Sequence, residues 1–129
     1  MSKRSNSSKS ILIGLIAAFG IAAVTVGGSV ILAIQAGNRI DLTEEGGVLL
    51  FQIVWVAAPF VALSLAQVRA KRAWVAGVVV TLMFWSAYLA SAYLSHGGGA
   101  NIGMGLLMLA SPLITAAAAF GASALRSRK

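Results

Sequence analysis

Residues Ile11–Ile34 read ILIGLIAAFGIAAVTVGGSVILAI, with no Asp, Glu, Lys, Arg or His among them. A helix rises about 1.5 Å per residue, so roughly 20 apolar residues cross a hydrocarbon core of about 30 Å. This stretch is long enough to span a bilayer. Three more runs share its character: Val48–Gln67, Trp74–Leu94 and Met104–Leu125. One ionised side chain at mid-bilayer costs about 2.5–3.5 kcal/mol on insertion scales, and none of the four runs carries one.

The rest of the composition agrees. Of 129 residues, 59% are hydrophobic and 10% charged, and the mean hydropathy is +0.90. A chain this short has too much surface for its volume to hide so much apolar area from water, so lipid must cover it. Backbone groups in hydrocarbon must be satisfied internally, and long apolar runs without polar alternation are not barrel strands. The fold class expected is all-α: a polytopic membrane protein with four transmembrane helices, at 11–34, 48–67, 74–94 and 104–125, in an up-down bundle. Residues 1–10 and 126–129 form basic tails around this transmembrane domain of residues 11–125, and the Ser-rich tail Ser2–Ser10 is expected to be disordered.

Charge sets the orientation. The formal net charge is +7, which in a soluble domain would raise nucleic acid as a partner. Here the cations lie only between apolar runs, so no nucleic-acid role is expected. Lys3, Arg4 and Lys9 precede the first helix, Arg69, Lys71 and Arg72 join the second to the third, and Arg126, Arg128 and Lys129 follow the fourth. The alternate side has Arg39 with Asp41, Glu44 and Glu45, which are all the carboxylates of the chain. Positive charge is retained on cytoplasmic flanks, so both termini are expected in the cytoplasm, N-in and C-in, of a bacterial-type inner or plasma membrane. A cleavable signal peptide is the competing reading of the start. Its apolar segment runs about 7–15 residues, and Ile11–Ile34 is longer.

Helices in lipid associate through close packing and interhelical hydrogen bonds, so small and weakly polar residues mark the faces that meet protein. The first helix offers Gly14, Ala18 and Ala22, then Thr25, with Gly20, Gly27 and Gly28 as further close-approach positions. The third carries Gly77, Thr81, Phe84, Tyr88, Ser91 and Ser95 on one seam, and the fourth carries Met104, Met108, Ser111, Thr115, Ala118 and Ala122. These seams hold the helices together, and Gly14, Ala18 and Ala22, with the small residues on a second side of the first and fourth helices, are the candidate contacts for another chain or for lipid. Pro59 and Pro112 fall inside the second and fourth helices and should kink or loosen them.

Gln52 is the most polar residue within a span and needs a hydrogen-bond partner, with Tyr93 or Ser91 at similar depth as candidates. Trp74 and Tyr93 stand where interfacial anchors belong. Trp55 and Trp85 lie deeper, and each requires lipid contact or an N–H partner. Asp41 is placed to cap the second helix, starting it before Val48, with Glu44 and Glu45 in a first turn that favours negative charge. The second outer loop, His96, Gly97, Gly98, Gly99 and Asn101, reads either as a flexible link or as backbone lying close to a partner subunit, a lipid head group or a quinone head, with His96 as a titratable neighbour.

The composition excludes much chemistry. With no cysteine there are no disulfides, thiolate metal sites or cysteine nucleophiles. One histidine and no membrane carboxylate give neither a catalytic constellation nor paired haem ligands, so no catalytic residue, metal site or cofactor is expected, and no enzyme. In length and helix count the chain resembles small multidrug-resistance transporters, which depend on a membrane-embedded glutamate in the first helix. No such residue exists here. Small fluoride channels are of similar size, but their Asn-bearing second helix and phenylalanine-rich third helix are missing too. The expected function is an interaction or accessory subunit that packs in the bilayer with itself or with a larger membrane complex, in contact with membrane lipids. The alternative is a small homo-oligomeric channel or transporter lined by hydroxyls such as Thr81, Ser91, Ser111 and Thr115. A lipid- or quinone-binding helper is a third reading.

Overall fold

The computed structural model describes residues 2–94 and 102–125. They form four α-helices: α1 (Ser2–Gln35), α2 (Leu42–Leu65), α3 (Lys71–Leu94) and α4 (Ile102–Ala124). All four are long and apolar enough to cross a membrane. The chain divides into two compact units, Met1–Arg69 and Ala70–Lys129. In the first α1 packs on α2, and in the second α3 packs on α4.

The first unit is an antiparallel hairpin whose register is fixed near one end. A Cβ added to Gly14 would lie 2.5 Å from the Ser64 hydroxyl, so only glycine lets α1 approach α2 there. From that point the buried face of α1 climbs through Ala18, Ala22 and Val26, and that of α2 runs through Ser64, Leu63, Phe60, Ala57 and Val56. Phe60 and Leu63 are its largest fully buried side chains. Small residues on α1 therefore receive bulky ones from α2, which is how two helices approach closely without voids. The seam expected over Gly14, Ala18 and Ala22 is the face that packs, continuing in Val26 where Thr25 was expected.

Both helices of this hairpin end in a Schellman motif. At the end of α1, Asn38 N–H donates to the Ala33 carbonyl at 3.1 Å and Gly37 N–H to that of Ile34 at 2.9 Å. At the end of α2, Val68 N–H donates to Leu63 at 2.9 Å and Gln67 N–H to Ser64 at 3.0 Å. The motif needs a left-handed residue. Gly37 supplies it at φ 88, and Gln67 supplies it at φ 54.

Two boundaries of this hairpin bear on function. α2 starts at Leu42, as the Asp41 cap requires: Asp41 is extended and its side chain accepts from Thr43 N–H at 2.9 Å. α1 starts at Ser2, although residues 2–10 were expected to be disordered. The correction has a simple cause. The spanning segment supplies the costly helix nucleus, each added residue then needs only one more hydrogen bond, and no glycine or proline stands between Ser2 and Ser10 to stop propagation.

In the second unit the buried positions are Ala73, Gly77, Thr81 and Trp85 on α3 and Ser111, Thr115 and Ala119 on α4. They recur every four residues, one face of each helix. Pro59 and Pro112 sit within helices that continue past them. Outside these faces large apolar side chains are open: Val24 and Leu113 are each 76% exposed. Four helices with such surfaces suit a multi-pass membrane protein.

Candidate functional site

The expected site residues separate into three groups. Gly14, Ala18 and Ala22 are inside the first hairpin, consumed by its own packing. The glycines that stay available lie elsewhere on α1. Gly20 and Gly27 are seven residues apart and so share a face, roughly opposite Ala18 and Ala22 on a helix of about 3.6 residues per turn. Nothing lies within 4 Å of a Cβ added at Gly20, Gly27 or Gly28, and the same holds for Gly105 and Gly121 on α4. Ile13, Val24 and Ile31, on the Gly20 side of α1, are exposed as well. Small residues thus do two things on α1: one face closes the hairpin, and the other is open.

The second group comprises the hydroxyls of the spans, and several of them turn back on their own helix. Thr25 donates to the Ile21 carbonyl at 2.8 Å, Ser29 to Val26 at 2.7 Å, Ser64 to Phe60 at 2.9 Å and Ser111 to Met108 at 2.7 Å. Such bonds satisfy a hydroxyl inside hydrocarbon without any neighbour. Thr81 and Thr115 are buried, while Tyr88 and Ser91 are half-buried on α3. Tyr88 meets the buried Trp85 edge to face, with centroids 6.0 Å apart.

Gln52 is half-buried on α2. One turn further along, Trp55 stacks on Phe51 at 5.3 Å, and its indole Nε1 is buried with no hydrogen-bond partner among the described residues. An unsatisfied N–H in an apolar setting is expensive, on the order of 1–3 kcal/mol. Both needs follow from residue type alone, since a Gln and a deep Trp within a span each require a partner.

The third group lies outside the described residues: His96, Gly97, Gly98, Gly99 and Asn101 all fall in the segment 95–101. Among the described residues no three His, Cys, Asp or Glu side chains gather to hold a metal ion.

Two polar features mark the two ends of the first hairpin. At the Asp41 end, the Thr43 hydroxyl donates to the carboxylate at 2.6 Å beside the Thr43 amide. The hydroxyl first, and the amide after it, hold the Asp41 carboxyl below its usual pKa. At the other end Gln67 Nε2 donates to the Ser7 hydroxyl at 2.7 Å, joining residues 60 apart in sequence. No sequence signal pointed to this clasp, because Gln67 closes an apolar run and Ser7 lies in a polar one. The chain matches no protein-family model, and no curated protein or solved structure is similar to it.

Proposed function

We propose that this chain is a small accessory subunit of a bacterial-type inner membrane, with both termini cytoplasmic, that assembles in the bilayer with itself or with a larger membrane protein. The observation that carries the reading is the pair of unlike glycine faces on α1. Gly14 is closed against Ser64, whereas the Gly20 and Gly27 face has open space where a side chain would stand. Lipid tails do not require glycine, and in a helix interior it is less favourable than alanine by roughly 0.5–1 kcal/mol. A close-approaching neighbour is the physical use for it. The unpartnered indole of Trp55 adds a polar group that a neighbouring chain can satisfy. The channel alternative has less support, because Thr81 and Thr115 are buried and Ser111 bonds to its own helix.

Native mass spectrometry of the full chain after gentle extraction tests this. A defined oligomer or hetero-complex is expected, and Gly20→Leu with Gly27→Leu should dissolve it while leaving the helix content unchanged. A monomer in mild detergent that conducts ions or solutes in liposomes would reverse the order of the two readings. The orientation has its own test, since a membrane-impermeant reagent added outside sealed cells should fail to label a cysteine placed between Arg69 and Arg72.

A further inference from the structure

The first hairpin is electrically polarised, and its basic end has no counter-charge of its own. Lys3, Arg4 and Lys9 lie in the first turns of α1, and Arg69 follows the end of α2. The carboxylates Asp41, Glu44 and Glu45 stand at the opposite end of α2. That helix has 24 residues, so about 36 Å of rise separates its ends, several times the Debye length of about 8 Å at physiological salt. The acids therefore cannot neutralise the cations.

The Ser7–Gln67 bond decides where those cations stand. It pins the helical tail of α1 to the end of α2, two residues from Lys9 on one side and two residues from Arg69 on the other. Lys9 and Arg69 are both exposed. Successive helical residues turn by about 100°, which puts Ser7 on the Ala18 and Ala22 side of α1 and Lys9 on the outward side with Gly20. Lys9 also immediately precedes the apolar run that begins within two residues of it at Ile11. This is the level at which a lysine on a spanning helix meets lipid phosphates.

We propose that the basic end of the first hairpin is a binding site for anionic phospholipid head groups, with Lys9 and Arg69 as the recognising cations. Ser7 and Gln67 are positioning residues that keep the Lys9-bearing turn helical and fixed on α2. The requirement is met by lipid in particular, because Lys9 stands at the edge of the apolar run and its neighbours Leu12 and Ile13 are 58% and 67% exposed, available to acyl chains.

The test is a titration of the purified full chain with phosphatidylglycerol or phosphatidylcholine of identical acyl chains, read by native mass spectrometry. Phosphatidylglycerol adducts should form at the lower concentration. Each cation near the surface contributes roughly a five-fold preference, so Lys9→Gln with Arg69→Gln should weaken phosphatidylglycerol about 25-fold and leave phosphatidylcholine unchanged. Lys9→Arg with Arg69→Lys keeps the charge and should keep the preference, and Gln67→Ala should reduce it by a smaller factor. Arg126→Gln with Arg128→Gln removes equal charge from the C-terminus and should have much less effect. Equal binding of the two lipids, an equal loss in the C-terminal variant, or displacement of phosphatidylglycerol by inorganic phosphate would each overturn the proposal.

Discussion

Gly37 and Gln67 end the two helices of the first hairpin with the same pair of backbone bonds and the same left-handed turn, yet they are different residues. At Gly37 the turn is all that is asked, and glycine adopts φ 88 without a steric penalty. At Gln67 a side chain enters a conformation that disfavours it by roughly 1–2 kcal/mol, and that side chain reaches Ser7. One end of the hairpin therefore merely reverses the chain, whereas the other also secures the α1 tail. Strain of this kind persists where the surroundings hold it in place, and here the holding contact is visible.

The most forceful way to break the secured end is Gly14→Leu, close to the clasp and directly against Ser64. With a Cβ already 2.5 Å from the Ser64 hydroxyl, a larger side chain must push α2 aside. A loss of about 1–3 kcal/mol in hairpin stability is expected, measured as the detergent-denaturation midpoint of helicity. Gly20→Leu on the other face of the same helix should stay within about 0.5 kcal/mol of wild type. Similar losses for both would mean that α1 does not pack on α2 through Gly14.

Gly37→Val attacks the plain end. A β-branched residue at φ 88 resists the left-handed turn by roughly 1–2 kcal/mol, so a smaller loss than that of Gly14→Leu is expected. Gly37→Asn should recover much of it, since asparagine tolerates this conformation. If valine and asparagine unfold alike, the demand at Gly37 is for space and not for a positive φ.

The contrast between the ends also explains how much of the molecule was legible beforehand. Four apolar runs, the packing face Gly14, Ala18, Ala22 and the Asp41 cap could all be read, because each has a local chemical signature: absence of charge, small residues at helical spacing, a carboxylate before a helix. The clasp could not be read. A left-handed terminus is signalled by glycine, and Gln67 carries the turn without the signal. The helical tail was missed for a related reason, since Ser2–Ser10 is polar enough to suggest disorder when the helix it continues is left out of account. Gln52 and Trp55 were legible as residues needing partners, but a sequence names the need and not the group that meets it.

Acid should loosen the Asp41 end alone. The Thr43 hydroxyl and amide hold the Asp41 pKa below its unfolded value, so the cap's contribution is complete above the ordinary carboxylate range. It is lost as pH falls through the lowered pKa, when the proton removes the charge that the two donors prefer. The Thr43 amide resonance, followed by NMR in detergent, should titrate below the usual aspartate range, with the Gln67 amide unmoved. Asp41→Ala should shift the Thr43 amide at every pH and fray the first turn of α2, an exposed-site effect smaller than that of Gly37→Val.

The smallest shift is expected from the variant that bears most directly on the comparison, Gln67→Gly. Glycine relieves a left-handed strain of roughly 1–2 kcal/mol but gives up a bond to Ser7 worth about 0.5–1.5 kcal/mol, so the denaturation midpoint should hardly move. Gln67→Ala keeps most of the strain and loses the bond, and it should be the less stable of the two. A double-mutant cycle separates the terms: with Ser7→Ala already in place the bond is absent, and Gln67→Gly should then stabilise by the strain alone. If Gln67→Gly stabilises equally in both backgrounds, the Ser7 contact contributes nothing, and Gln67 is only a poor substitute for glycine. If the gain appears only after Ser7 is removed, the left-handed glutamine is retained for its reach across to α1.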